Sequence, residues 1–189
     1  MKKAIFIIIM LAGLTAQSQD QKTYVLDTKA SVINWIGNYV FNFSEHTGTV
    51  HFKEGVLTTT NGNISGGTFV IDMTTISNEE FLKGIGPVEH LRDTDFFNVN
   101  KYPEASLVIT GIEYFSTENV HRFYADLTIK GVTNSIKFIA EADGSNNTIT
   151  AKFKIDRQRW GITYNNKFKN DAIADGIGFI VSLQFKDID

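Results

Sequence analysis

Apolar and polar residues alternate with a period of two through most of the second half of this chain, and that period belongs to half-buried β-strands rather than helices. His121 to Lys130 sets Phe123, Ala125, Leu127 and Ile129 against Arg122, Tyr124, Asp126, Thr128 and Lys130. Val132 to Ala142 places Val132, Asn134, Ile136, Phe138 and Ala140 on one side, and Thr148 to Asp156 aligns Ile149, Ala151, Phe153 and Ile155. Gly176 to Lys186 points Phe179, Val181, Leu183 and Phe185 one way. The turn Asp143-Gly144-Ser145-Asn146 and a break at Gly131 separate these runs.

The first half reads the same way with more interruptions. Tyr24 to Asp27 is a short lead-in strand; Ser31 to Phe43 follows, with Ile33, Trp35, Gly37, Tyr39 and Phe41 on one parity and a bulge expected near Gly37. Thr47 to Lys53 and Gly55 to Thr60 lead to Asn61-Gly62, a strong type I′ hairpin signal, and then to Ile64 to Thr74 with Phe69, Ile71 and Met73 on one face. Ser77-Asn78-Glu79-Glu80 has capping-box spacing and predicts a short helix carrying Phe81 and Leu82, stopped by Gly84 and Gly86-Pro87. Glu89 to Pro103 then shows neither period, yet holds two adjacent Phe, a His, an Arg and two Asp. Ala105 to Phe115 returns to strand, apolar on both parities. About eight long strands joined by tight turns, with one helix and no crossover-length connections, predict an all-β, extended eight-stranded antiparallel β-barrel with the helix and irregular segment inserted between strands. Closure suits strands of this length because it removes their edges.

Residues 1–18 read as a secretory signal. Lys2 and Lys3 form the basic start, Ala4 to Leu14 an apolar stretch too short to span a bilayer, and Ala16-Gln17-Ser18 a small-x-small cleavage site. Cleavage would leave residues 19–189 as one periplasmic or secreted domain and take the formal charge from −3 to −5. That balance excludes nucleic acid and anionic membrane surfaces as electrostatic partners, and no further apolar run anchors the chain in a membrane. With no cysteine, the fold must hold by its core alone. A homodimer is compatible with this reading.

Fifteen Phe give the chain a bulky interior. Gly37, Ala125, Ala140 and Ala151 interrupt the large residues of the apolar faces, which either opens an apolar cavity or fills a tapering core; the period does not choose. If the barrel holds a ligand, its wall is expected to include Trp35, Tyr39, Phe52, Phe69, Phe123, Leu127, Phe138, Phe153, Phe179 and Leu183, with Phe96 and Phe97 sealing it as a plug or lip. Ile155-Asp156-Arg157-Gln158-Arg159-Trp160-Gly161-Ile162 ends a good strand with two arginines beside a Trp; Arg157 and Trp160 form either a polar clamp for a ligand head group or a corner where the chain turns. His46, His51, His90 and His121 lack metal-ligand spacing, and no nucleophile, phosphate-loop or dinucleotide motif occurs. Asp93 and Asp95 could act as acid and base but read more simply as caps or as partners of Arg92 or Lys101. No catalytic residue, metal or cofactor is expected, a bound lipid aside.

Three segments together resemble the YceI family, the lipid- or polyisoprenoid-binding YceI-like proteins of bacteria. They are His90-Leu91-x-x-x-Asp95-Phe96-Phe97-Asn98-x-x-Lys101-Tyr102-Pro103, Leu127-Thr128-Ile129-Lys130-Gly131-Val132-Thr133 and Ile155-Asp156-Arg157-x-x-Trp160-Gly161-Ile162. His46-Thr47-Gly48 after the first long strand is a further match, so the similarity runs from about Tyr24 to Phe185. Two departures are Pro87-Val88-Glu89 where many members carry an Arg-Asp pair, and Asn98 in place of the commoner Asp. The resemblance implies a lipocalin-like barrel holding a long apolar chain: a polyisoprenoid, an isoprenoid quinone or a fatty acyl chain. The alternatives are a lipid-acting hydrolase or isomerase using the His90 to Asp95 segment, and an envelope stress protein whose barrel has no cavity.

Overall fold

The computed structural model describes residues 19–40, 43, 45–78, 87–163 and 173–187. Nine strands follow one another: β1 (Gln21–Leu26), β2 (Val32–Tyr39), β3 (Glu45–Thr60), β4 (Asn63–Ser77), β5 (Glu104–Phe115), β6 (Val120–Ile129), β7 (Val132–Asp143), β8 (Thr148–Asp156) and β9 (Ile173–Asp187). Helix α1 (Pro87–Arg92) precedes β5, and a 3₁₀ turn spans Arg157–Trp160. All pairings are antiparallel, in the order β3-β2-β9-β8-β7-β6-β5-β4, and β4 returns to β3 to close an eight-stranded barrel.

The ninth strand does not widen the barrel. β1 pairs with the last part of β3, at Gln21 to Val25 against Thr60 to Val56, while β2 pairs with its first part. Both also pair with β9, so β1 and β2 lie end to end in one strand position. The chain kinks between them at Asp27 to Ser31 and is clipped to β9 there. The Asp27 N–H donates to the Gln184 carbonyl (2.8 Å), and the Gln184 N–H donates to the Ser31 hydroxyl (2.9 Å). Lys186 Nζ pairs with Asp27 Oδ2 at 2.7 Å.

The two segments read separately as Thr47 to Lys53 and Gly55 to Thr60 form the single strand β3, because bulges against β4 reset its parity without ending it. The expected bulge of β2 lies between Gly37 and Tyr39. Asn61-Gly62 and Lys130-Gly131 are two-residue hairpin turns with positive φ at both positions (51° and 79°; 53° and 75°). The helix expected after Ser77 falls on residues 79–86, outside the described residues; Ser77 itself ends β4, its hydroxyl 2.8 Å from that of Thr49. Helix α1 begins at Pro87, a residue expected to end a helix. Proline is preorganised for a first helical position, Glu89 lies in the first turn and Arg92 in the last, an order that favours the backbone dipole.

The barrel has two unlike ends. Tight turns between β3 and β4, β5 and β6, and β7 and β8 lie at one; the β6–β7 turn and the described segments 87–103 and 157–163 lie at the other. Leu26, Leu57, Phe69 and Phe185 are buried toward the first end, with Phe69 edge-on to Phe52 and to Phe185, both at 6.3 Å.

Candidate functional site

The inward faces of the strands surround an apolar cavity that opens to solvent; together with the open space at its mouth it measures about 1550 Å³. This cavity explains a pattern that a filled core would not show: Phe138, Phe153, Phe179, Val181 and Leu183 point inward yet are only half-buried. Register builds the wall. Phe123 on β6 lies opposite Phe138 on β7, Phe153 on β8 opposite Phe179 on β9, and Phe179 opposite Trp35 on β2. Ring centroids step 5.6, 4.7 and 5.6 Å from Phe123 to Phe138, Phe153 and Phe179. One half of the cavity is therefore an aromatic row across five neighbouring strands. Val50, Ile71, Met73, Ile76, Leu107 and Ile109, on β3, β4 and β5, make the facing half mostly aliphatic, with Phe52 and Phe69 among them.

The row also spans a gap in the sheet. β7 and β8 are laddered only from Ala140 to Asp143 against Ala151 to Thr148, and beyond that the stack of Phe138 on Phe153 bridges them. At its far end the row continues to His121, 6.0 Å from Phe123 and 4.7 Å from Tyr114. Burial there pushes the His121 pKa below the ordinary imidazole value, because the charged form loses hydration.

The segment from Leu91 to Phe97 covers the other end. Phe96 is 1% exposed, Phe97 stands edge-on to it at 4.9 Å, and both line the cavity with Leu91. Its path is fixed from several directions. The Phe97, Asn98 and Val99 N–H groups donate to the Leu91, Asp93 and Arg92 carbonyls, and Asn98 takes a left-handed φ of 49°. Arg92 donates to the Thr74 and Ile76 carbonyls (2.7 and 2.9 Å), which the bulge of β4 against β3 leaves available. Lys130 Nζ reaches the Thr94 carbonyl at 3.1 Å, and the Tyr102 ring packs on Gly131, where a Cβ would meet it at 3.1 Å.

Twelve of the fourteen expected ligand-wall residues line this cavity: Trp35, Tyr39, Phe52, Phe69, Phe96, Phe97, Phe123, Leu127, Phe138, Phe153, Phe179 and Leu183. Arg157 and Trp160 do not; they build the corner under Phe96. Arg157, 3% exposed, donates to the Ile162 carbonyl (2.6 Å), reaches the Ala174 and Ile173 carbonyls and Asp175, and lies 5.9 Å from the Phe96 ring. Trp160 is fully buried, its Nε1–H donating to the Leu127 carbonyl at 2.9 Å. Asn134 and Arg159 tie the same corner to β7, Asn134 through the Arg159 carbonyl and Arg159 through that of Ser135. Of the small residues, Gly37 and Ala151 border the cavity, whereas Ala125 and Ala140 are packed in the wall.

Sequence reasoning missed Asn38 and His46 as lining residues. Tyr39 Oη lies 2.6 Å from His46 Nε2. The signal was present, since Gly37 opposite His46 on paired strands faces both inward, but it needed the register. Among the described residues no group of His, Asp and Glu is arranged to hold a metal ion. His90 Nδ1 lies 3.9 Å from Asp95 Oδ1, and neither residue is part of the cavity wall.

The family profile described as YceI-like domain matches residues 24–185, nearly the whole described chain. The chain belongs to the YceI family. Its three sequence blocks are the segment over the cavity, the β6–β7 turn and the 3₁₀ corner, which meet at one end of this YceI barrel. No curated protein matches the chain. Solved structures similar to it include Burkholderia cenocepacia BcnA, 16% identical with a TM-score of 0.65, covering 84% of this chain and 98% of BcnA. The Campylobacter jejuni YCEI protein is 15% identical with a TM-score of 0.55, covering 100% and 99%. A mutant of it was solved with a monobromobimane guest, at 15% identity, a TM-score of 0.56 and the same coverage. At these identities the likeness is one of fold.

Proposed function

We propose that this protein binds and carries an amphipathic long-chain lipid, a polyisoprenoid, isoprenoid quinone or fatty acyl chain, inside the barrel, in the periplasm or outside the cell once residues 1–18 are removed. The observation that carries the reading is the cavity itself: a space inside the barrel, open to solvent, whose wall is almost entirely hydrocarbon and aromatic ring. Apolar contents would supply the wall with contacts that it lacks when empty.

Energetics set the length of the cargo. A micromolar complex needs about 8 kcal/mol net, and association costs about as much again. At about 0.8 kcal/mol per buried CH₂, some twenty methylene equivalents must be buried, so short chains do not qualify. Discrimination per methylene is weak in such a wall, which favours a class of chains over one molecule.

The reading is of a binding protein and not of an enzyme. The His90 and Asp95 pair sits outside the wall, and the surface of the cavity is almost entirely hydrocarbon and aromatic ring. The test is organic-solvent extraction of protein purified from its native compartment, followed by mass spectrometry. A long-chain lipid at near-stoichiometric amount is expected; protein that is consistently empty and takes up no lipid from vesicles would overturn the proposal.

A further inference from the structure

β7 and β8 are joined by a tight turn, yet they part where they pass the cavity. Each keeps its other neighbour: β7 is laddered to β6 from Val132 to Ala140, and β8 to β9 from Thr148 to Asp156. Between the two, the ladder runs from the turn to Ala140 with Ala151 and stops. Counting on from that pair sets Phe138 opposite Phe153, and their rings stack at 4.7 Å and 19° with both lining the cavity. Farther along, the 3₁₀ corner pins the strands again: Asn134 Nδ2 donates to the Arg159 carbonyl at 2.8 Å, and Arg159 to that of Ser135 at 2.9 Å. Ile136 to Ile139 and Lys152 to Ile155 thus border a seam in the wall, roughly 13 Å long at the ordinary rise of a strand.

A long chain crosses a wall fastest where parting it breaks the fewest bonds. Separating laddered strands breaks a row of N–H···O=C bonds, whereas separating β7 from β8 along the seam breaks none of the ladder and divides one ring pair. Phe rings also turn about their own side-chain torsions without moving the backbone. Other routes are held more firmly. The Leu91 to Phe97 segment is tied by the Phe97, Asn98 and Val99 N–H groups and by the two bonds of Arg92. β4 and β5 also part, beyond Thr68 with Val108, but Ile109 fills that parting, lying where a Cβ on Gly67 would meet it at 3.1 Å.

From this we infer that the seam between β7 and β8 is a side portal of the barrel, gated by the stacked rings of Phe138 and Phe153, through which a long-chain cargo enters and leaves while the segment over the cavity stays in place. The inference rests on the lipid-binding reading and adds a route to it. Turning the two rings aside opens a slot that runs along the strands, bounded by the Ala140–Ala151 pair at one end and by the Asn134–Arg159 corner at the other. A slot of that shape admits an extended chain.

The test bridges the seam from outside. The chain has no cysteine, so an introduced pair is the sole target of a thiol reagent. Lys137→Cys with Lys154→Cys, and separately Ile139→Cys with Lys152→Cys, place thiols at opposed, exposed positions on the two sides of the seam, and a short bis-methanethiosulfonate reagent joins them reversibly. Uptake and release of cis-parinaric acid, a fluorescent chain, are followed by stopped flow on the full-length mature protein. Bridging is expected to slow both rates by the same factor, about 10-fold or more, and to leave Kd unchanged, because a gate raises the barrier without touching either end state. Reductant should restore both rates. The same bridge between Thr68→Cys and Val108→Cys, across the laddered β4–β5 pair, should change neither. The second seam pair decides the matter if the first does not fold. Rates unchanged by bridging the seam, or slowed equally by the β4–β5 bridge, overturn the portal while leaving the lipid-binding reading standing. Unbridged protein that takes up neither cis-parinaric acid nor a fluorescent polyprenol overturns both.

Discussion

A methyl group added at Gly48 should unseat the wall of the cavity, whereas the same change at Gly37, two register positions along the same strand pair on β2, should not. A Cβ on Gly48 would stand 1.9 Å from the Ser77 carbonyl oxygen and 2.5 and 2.7 Å from Cζ2 and Cε2 of Trp35. The first of these is backbone, held by the pairing of Thr49 with Ser77, so it cannot yield cheaply. Overpacking typically costs about 1–3 kcal/mol, and this contact belongs at the upper end. Against it stands the gain from a stiffer unfolded chain on replacing Gly by Ala, about 0.4–1 kcal/mol. Gly48→Ala should therefore lose about 2 kcal/mol. For a domain of this size that is a fall in melting temperature of roughly 4–8 °C. At Gly37 the nearest atom to a new Cβ is the His46 carbonyl oxygen at 3.9 Å, so only the unfolded-state gain remains and Gly37→Ala should be neutral or slightly stabilising. Urea unfolding followed by circular dichroism measures both, provided the slope with denaturant is unchanged. Equal midpoints for the two variants would refute the argument that Gly48 is required by the close approach of Trp35 and β4.

Other perturbations separate the wall from its supports. Trp160→Phe leaves the Leu127 carbonyl without its indole donor in a fully buried site and should cost about 2–3 kcal/mol by thermal or chemical unfolding, with cargo loss following only from instability. Ala151→Leu projects into the cavity and should cost little stability, under about 1.5 kcal/mol, while lowering the amount of lipid recovered by extraction. Asp27 is held below the ordinary carboxylate range first by its hydrogen bond from Lys186 and then by the Lys29 and Ala30 N–H groups. A lowered folded pKa means that the unfolded chain binds the proton more readily, so the contribution is present above the unfolded value and is lost as pH falls through the folded one. Asp27→Asn should accordingly flatten the acid side of a stability-against-pH curve below about pH 4, most at low salt.

Much of this protein was legible one residue at a time. Period-two alternation fixed the strand class, and because inward and outward residues alternate strictly along a strand, naming Phe123, Phe138, Phe153 and Phe179 as one face needed no neighbour. Asn61-Gly62 announced its turn because few residue pairs accept positive φ twice, whereas at Lys130-Gly131 only the glycine was legible, as a break. Helix α1 was missed because Gly86-Pro87 serves equally to stop one helix or to start the next, and packing of α1 on the bulged end of β4 shows that Pro87 starts one.

What lay beyond the sequence was whatever depends on which strand stands beside which. Alternation could not say whether Gly37 and Ala151 open a space or complete a taper; the diameter of the closed sheet decides that. Nor could it decide for Arg157 between a head-group clamp and a corner of the chain; the Ile162, Ile173 and Ala174 carbonyls around its charged fork make it part of the corner. The pairing of Trp35 with Gly48 and of Gly37 with His46 sets Trp35, Tyr39 and His46 along one strand pair of the wall. Sequence determined the faces of the strands, because side-chain direction is a property of a single chain; tertiary structure decided the cavity, because it exists only between strands.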